Sequence, residues 1–456
     1  MENLFLNELI KAVNGEFLIG NPRETVEHIS IDTRTLQKGD YYFAIKGNRF
    51  DGHKFVKNAV EKGAKGIIIS EKEVDFGNPF PTVPSVIRVE DTTKALGDLA
   101  LYYRKKWNIP LVAITGSNGK TTAKQMLFSI LSKKGKTLCN QGNFNNQIGL
   151  PLTLFELSKE HQFAIVEMGT SLPGEIARLS EIAMPAIGVI TNIGYTHLEN
   201  FKDKEGVFEE KKTLFNNLKT DGCAVINIDD EYLKRLISND KYAKITFSIN
   251  SESDIKADNI DLRNKGVSFD LHISSKTIRV HLPVYGIFNV YNAMAASCAA
   301  FKLGIDIDLI RDGLQSYSQP KMRMEIIELK IGATVVNDAY NSNPSSVRES
   351  ITSMIQAFPN KEKLVVLGDM LELGQDSEKF HSELGDFIDS QFLNKIYLYG
   401  PQMKNTFTSI RNSSALYFKT KEELLAELQK YLNKDSVVLF KASRGMALEE
   451  VINKLI

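Results

Sequence analysis

Two rhythms alternate along most of this chain. Short apolar runs rich in β-branched residues are separated by stretches in which apolar side chains recur every three to four positions, as on one face of a helix. The runs at 111–115, 164–167, 187–191 and 224–227, with helical stretches such as 123–131, 175–182 and 206–218, predict a mostly parallel, doubly wound sheet. Residues 267–273 and 278–282 instead alternate strictly between apolar and polar, which predicts a half-exposed antiparallel pair inserted into that domain. After Gln319-Pro320 the first rhythm restarts, with strands at 334–336, 364–367, 396–399 and 437–440 and helices at 345–358, 378–388, 421–431 and 447–455. A second, Rossmann-like domain is expected there. Near the amino end, strands at 41–45 and 66–69 flank a helix at 53–62, and this small α/β unit ends on Pro79, Pro81 and Pro84. The expected fold is therefore α/β in three domains: 1–84, 85–319 and 320–456.

Composition narrows the function more than the fold. The chain has 456 residues, long for one hydrophobic core, and 43% hydrophobic content suits a globular protein. Lysine plus arginine equals aspartate plus glutamate at 56 each, so no general basic field argues for nucleic acid and no polybasic run for a membrane surface. Cys139, Cys223 and Cys298 are widely spaced and lack C-x-x-C pairing, which speaks against zinc and a disulfide framework. With no basic, apolar leader and no apolar run of about 18 residues, the expectation is a cytoplasmic protein, without membrane insertion and acting as a monomer.

The ligand must then be read locally. Thr115-Gly116-Ser117-Asn118-Gly119-Lys120-Thr121-Thr122 lies between an apolar strand and a helix. Its glycines let backbone N–H groups turn onto phosphate oxygens, the helix aims its positive end at them, Lys120 adds charge and Thr121 offers a hydroxyl to Mg²⁺. The full G-x-x-x-x-G-K-[ST] pattern wants glycine at 114, where the chain has Ile114, so only its second half matches. A plain strand-to-helix turn is the alternative. Glu167 ends the run 163–167 and faces the crevice where α/β sheets bind ligands, which makes it a Mg²⁺-ligand candidate; such an acid can also cap a helix or pair with a lysine. His197 lies beyond a third strand end, and a lone histidine can equally be structural. Gly142-Asn143-Phe144-Asn145-Asn146-Gln147-Ile148-Gly149 is dense in amides suited to phosphate or sugar, or to an ordinary loop. Asn337-Asp338-Ala339-Tyr340-Asn341-Ser342-Asn343-Pro344 holds a carboxylate, a phenol and three amides at another strand-to-helix junction, and Arg323 sits at the second domain junction, where a surface salt bridge is its alternative.

These motifs, together with Asp32-Thr33-Arg34, the run 43–53, Asn289 to Asn292, Gly368-Asp369-Met370-Leu371-Glu372-Leu373-Gly374 and Lys441-Ala442-Ser443-Arg444, give the chain a resemblance that runs nearly end to end. It resembles the Mur ligases of peptidoglycan precursor synthesis, and among them those that add D-Ala-D-Ala to a UDP-N-acetylmuramoyl-tripeptide. The resemblance implies a central P-loop ATPase-like domain and an ATP-dependent amide ligation through an acyl phosphate. It implies ATP bound by residues 115–122, with Asn292 on the adenine side and Arg323 and Asp338 reaching in from the third domain. Thr33 and Arg34 would bind the UDP end, and Asn143, Asn145, Asn146, Tyr340, Asn341 and Asn343 the rest of the substrates. One Mg²⁺ would lie on Thr121 and Glu167, and a second between His197 and a carbamylated lysine, matched to Lys211 with Lys212 as the risk of register. The rivals are a related amide ligase, which in its amino-acid-adding form would carry an Asp-Asn-Pro-Arg motif absent here, a folylpolyglutamate synthetase, and a nucleotide-binding regulator.

Overall fold

The computed structural model describes residues 1–2, 4–47, 50–76, 84–263, 266–411 and 413–456. Asn48, Arg49, Pro79 and Pro81, used above as motif or junction residues, lie outside the described residues.

A nine-stranded sheet forms the middle of the molecule. Its spatial order is Lys276–Leu282, Val267–Ile273, Ile255–Asp261, Ala243–Ser248, Cys223–Asn227, Ile187–Ile190, Leu111–Thr115, Phe163–Glu167 and Thr137–Cys139. All pairings from Ile255–Asp261 to Thr137–Cys139 are parallel; the two pairings beyond Ile255–Asp261 are antiparallel. Strand Leu111–Thr115 is buried along its whole length because alternate residues serve opposite cores. Leu111 and Ala113 pack in one apolar cluster and Val112 and Ile114 in the other, as the unbroken apolar run of a doubly covered strand requires. Helices Lys120–Leu131, Phe288–Lys302 and Ile307–Gln315 pack together on one face, and Thr92–Lys105, Glu175–Ala183 and Lys204–Asn216 on the other. The chain leaves Leu111–Thr115 toward one edge of the sheet and later returns to its other side. The crevice at the carboxyl end of this strand is therefore the switch point at which such sheets take ligands.

The expected antiparallel pair is present within the central domain. It prolongs the central sheet, because Ile255–Asp261 pairs with parallel strand Ala243–Ser248 on one side and Val267–Ile273 on the other.

The carboxyl-terminal sheet runs Glu325–Glu328, Thr334–Asp338, Ser436–Lys441, Glu362–Gly368, Lys395–Tyr399, Ala415–Phe418, with only the first pairing antiparallel. The last strand of the chain thus inserts between two earlier ones. In the amino-terminal sheet, Glu16–Ile19, Ser85–Arg88, Gly66–Ile69, Tyr41–Phe43 and Ile29–Ser30 lie side by side. Ser85–Arg88 pairs in parallel with Gly66–Ile69, so the junction expected at residue 84 is corrected: this sheet continues past it. The proline cluster precedes the final strand of the unit instead of ending it. Among the described residues no helix is long and apolar enough to cross a membrane.

Candidate active site

The loop after Leu111–Thr115 has the backbone of a phosphate cradle. Gly116 (φ 147°) and Gly119 (φ 80°) occupy conformations that L side chains rarely adopt, and a Cβ on either would overlap Thr191 or Asn292. Gly119 is the residue before helix Lys120–Leu131, whose first N–H groups have no side-chain cap. Neighbouring strands hold the loop open. Asn118 N donates to Asn192 Oδ1 (2.9 Å), Thr191 Oγ1 donates to the Asn118 carbonyl (2.5 Å) and Ser117 N to the Asn192 carbonyl (3.0 Å). Lys120 Nζ folds back on the Gly116 carbonyl at 2.8 Å, and burial lowers its pKa, with the nearby Arg323 charge adding to the effect and Glu167 opposing it. An ammonium so placed gains from an arriving phosphate.

Glu167 stands opposite. Its Oε2 accepts from Thr121 Oγ1 (2.8 Å) and its Oε1 from Asn145 Nδ2 (2.9 Å). Burial raises its pKa, but Lys120, Lys124, Arg323 and Asn145 more than offset this and hold the carboxyl below its usual value. Lys124, wholly buried one turn beyond Lys120, lies 3.8 Å from Glu167 Oε2 and donates to the Asn140 carbonyl at 2.6 Å. Asn140 in turn accepts from Glu167 N and donates to the carbonyls of Phe144 and Glu167, so it pins the amide-rich loop to the strand end. The oxygens of Thr121 and Glu167 on one wall form a donor set suited to a hard cation such as Mg²⁺.

The third domain closes the cleft from above. Asp338 and Lys441 are register partners on adjacent strands, and Lys441 Nζ binds Asp338 Oδ2 at 2.7 Å and the Asn341 carbonyl at 2.8 Å. Ser350 Oγ and Met324 N also donate to Asp338. The Arg323 guanidinium lies 4.2 Å over the Tyr340 ring and faces the phosphate loop, so the surface salt bridge considered for it is not its arrangement here. Contact between the domains is direct: Asn118 Nδ2 donates to Ser345 Oγ (2.9 Å) and Asn343 Nδ2 to Asn118 Oδ1 (2.7 Å). The resulting cleft of about 390 Å³ collects Ser117 to Thr122, Asn145, Asn146, Glu167, His197, Asn292, Arg323, Asp338, Tyr340, Asn341 and Asn343. Glu349 also lines it. Burial first, and Asp338 second, push its carboxyl up to about 7 despite Lys441.

His197 sits at φ 52°, and its Nδ1 meets Glu372 Oε2 of the third domain at 2.6 Å. The histidine holds the Glu372 carboxyl below its ordinary pKa. Lys211 and Lys212 are adjacent on helix Lys204–Asn216 but have opposite surroundings. Lys211 is buried, and burial and then the Lys120 charge push its amine well below the ordinary lysine pKa. Lys212 lies toward solvent, pairs with Glu209 at 2.5 Å and rests on the Phe208 ring.

Other expected residues are placed differently. Thr115 is fully buried and donates to the Met168 carbonyl, so its hydroxyl braces two strands. Asn343 caps helix Pro344–Ala357: its Oδ1 accepts from Ser346 N and Ser345 Oγ while Nδ2 goes to Asn118, which leaves its amide engaged in structure. Asn146 Oδ1 accepts from Ile148 N and Gly149 N at the start of a helix. Asn143 is exposed and does not line the cleft. Thr33 and Arg34 belong to the amino-terminal domain and are not among the residues lining the cleft; Arg34 is exposed and held bidentately by Asp32. Reading the sequence missed Lys124, Asn140, Glu349 and the site role of Lys441. Lys124, four residues after Lys120, was the one with a positional signal.

Comparison with known proteins agrees with this geometry. The Mur ligase family catalytic domain matches residues 25–104, the Mur ligase middle domain 114–300 and the Mur ligase glutamate ligase domain 322–444. The chain is 37% identical over 437 residues to the UDP-N-acetylmuramoyl-tripeptide--D-alanyl-D-alanine ligase of Buchnera aphidicola, spanning 95% of this chain and 93% of that protein. A crystal structure of MurF from Acinetobacter baumannii superposes with a TM-score of 0.92 at 32% identity, covering 100% of this chain and 99% of that one. MurF ligase from Thermotoga maritima, solved in complex with ADP, gives 0.85 at 29% identity, with 94% and 97% covered. With the three domains matched in order and the likeness extending over almost the full length, the chain belongs to the Mur ligase family.

Proposed function

We propose that the chain is an ATP-dependent amide ligase that joins D-alanyl-D-alanine to UDP-N-acetylmuramoyl-tripeptide through an acyl phosphate. The observation that carries this reading is the convergence, in one cleft, of the phosphate loop, the Thr121–Glu167 pair and the third-domain residues Arg323 and Asp338. The names of the relatives supply the substrate class: the Buchnera protein and that of Bacillus subtilis, 35% identical to this chain, are both ligases of this kind.

A substrate carboxylate oxygen attacks the γ-phosphorus and ADP departs; the incoming amine then attacks the acyl carbon, phosphate leaves with the C–O electron pair, and the amine sheds a proton as the amide forms. Both steps crowd negative charge. Lys120 and the loop N–H groups neutralise it at the phosphates, and Arg323, stacked on Tyr340, does so from the other domain. Thr121 and Glu167 would hold Mg²⁺, which supplies charge neutralisation across the phosphates. Asn292 borders the adenine side, and the Asp338–Lys441 pair takes the nucleotide from above. Lys211 is the candidate for a carbamylated second-metal ligand with His197: of the two adjacent lysines it is the buried one, and burial and the Lys120 charge disfavour its ammonium form. Asn145, Asn146, Tyr340 and Asn341 face the substrates, while Thr33 and Arg34 serve the UDP end. The three units divide after strand Ser85–Arg88, which belongs to the amino-terminal sheet, and at Gln319-Pro320.

The decisive experiment measures phosphate release and product formation with ATP, Mg²⁺, UDP-N-acetylmuramoyl-tripeptide and D-Ala-D-Ala, omitting each in turn. Product should require all four. Equal turnover with free D-alanine or with a folate substrate would overturn the assignment.

A further inference from the structure

The contact between His197 and Glu372 joins two domains at a point where both backbones are unusual. His197 (φ 52°) and Glu372 (φ 65°) each hold a left-handed conformation that non-glycine residues rarely adopt. An exposed ion pair repays little of that strain, and Glu372 is more than half exposed. The surroundings hold Glu372 in place. Asp369 is buried and accepts from Met403 N (2.9 Å), Met370 N donates to His381 Nε2 (3.1 Å), and Leu371 N donates to Ser443 Oγ (2.9 Å). Met370 and Leu373 are buried in the core beside it. Gly374 (φ 60°) brings the third-domain backbone onto the His197 turn, so close that a Cβ there would lie 3.1 Å from Glu199 Cα. Tyr195 and Phe380 pack ring to ring across the same junction at 4.8 Å. The run 368–374 is thus a braced arm whose tip is one carboxylate.

We propose that Glu372 is a positioning residue for His197: by accepting the Nδ1–H it selects the tautomer whose Nε2 lone pair is free for a metal ion in the cleft, and it does so only when the third domain is docked. A carboxylate behind a metal-binding imidazole fixes both ring orientation and tautomer. The proposal rests on the reading of His197 as a metal ligand, and it adds that the third domain completes that ligand from behind.

The test uses full-length protein labelled with ¹⁵N-histidine, with the His197 signals identified by their loss in His197→Ala. Without metal, wild type should show His197 protonated on Nδ1; Glu372→Ala should lose that signature, and Glu372→Gln, whose amide oxygen still accepts, should keep it. Titration with Mn²⁺ alone, followed by electron paramagnetic resonance, should show affinity weakened roughly 10–100-fold in Glu372→Ala and largely retained in Glu372→Gln. If His197→Ala weakens Mn²⁺ binding while Glu372→Ala changes neither the tautomer nor the affinity, the proposal is overturned and the metal role of His197 stands. If neither variant changes Mn²⁺ affinity, the metal reading falls, and the proposal with it.

Discussion

Glu349 offers the sharpest quantitative test of the site's electrostatics. It projects from helix Pro344–Ala357 into the cleft, and its carboxyl is pushed from 4.5 up to about 7 by burial and by Asp338. Below pH 4.5 the side chain is protonated in both folded and unfolded chains and contributes no difference. As pH rises from there to 7 the unfolded chain releases its proton while the folded one retains it, so stability falls; above 7 the loss is complete. The rise from 4.5 to about 7, at about 1.36 kcal/mol per pH unit, sets that loss at roughly 3 kcal/mol. Glu349→Gln mimics the protonated acid at every pH. The variant should match wild type near pH 4.5 and exceed it by roughly 3 kcal/mol at pH 8, read from urea unfolding at the two pH values. It should also bind ATP more tightly at pH 8, since an ionised carboxylate facing the triphosphate is removed. Equal stability of the two proteins at pH 8, or the same gain at both pH values, would refute the account.

The remaining predictions concern the lysines. Lys120→Ala should reduce turnover by ~10²-fold or more, about 2.7 kcal/mol in barrier, with the melting temperature preserved; a variant that loses fold and activity together shows the residue to be structural. Lys124→Met removes the charged donor to the Asn140 carbonyl and strips a counter-charge from buried Glu167, so it should cost about 3 kcal/mol and lower the melting temperature by roughly 6–12 °C. A shift below about 2 °C would mean that the contact is incidental. Lys211→Ala should lose most activity and regain part of it with concentrated formate or acetate, whereas Lys212→Ala should be nearly silent; rescue at 212 instead would reverse the assignment that burial supports.

Much of the architecture was legible because it is written locally. The run 111–122 contains a buried strand, a glycine turn and a helix start within a dozen residues, so its phosphate geometry follows from neighbours in sequence. Glu167 was legible for the same reason: it ends an apolar strand, and strand ends face the crevice. Periodicity, however, records only which side of its own element a residue faces. It could not show that strand Ser436–Lys441 inserts beside Thr334–Asp338 and brings Lys441 onto Asp338 across 103 positions. Nor could it separate Lys211 from Lys212, which share a helix and differ by one step of rotation; the packing of that helix against the sheet buries one and leaves the other in water. Asn343 looked like a ligand residue because its amide is chemically suitable, and docking of the third domain on Asn118 gave that amide other partners. The sequence by itself determined the elements, their order and the phosphate loop, since these depend on spacing and backbone freedom. Strand order and the meeting of domains decided which charges face one another, because Coulomb and hydrogen-bond energies act over a few ångströms of space and are indifferent to separation along the chain.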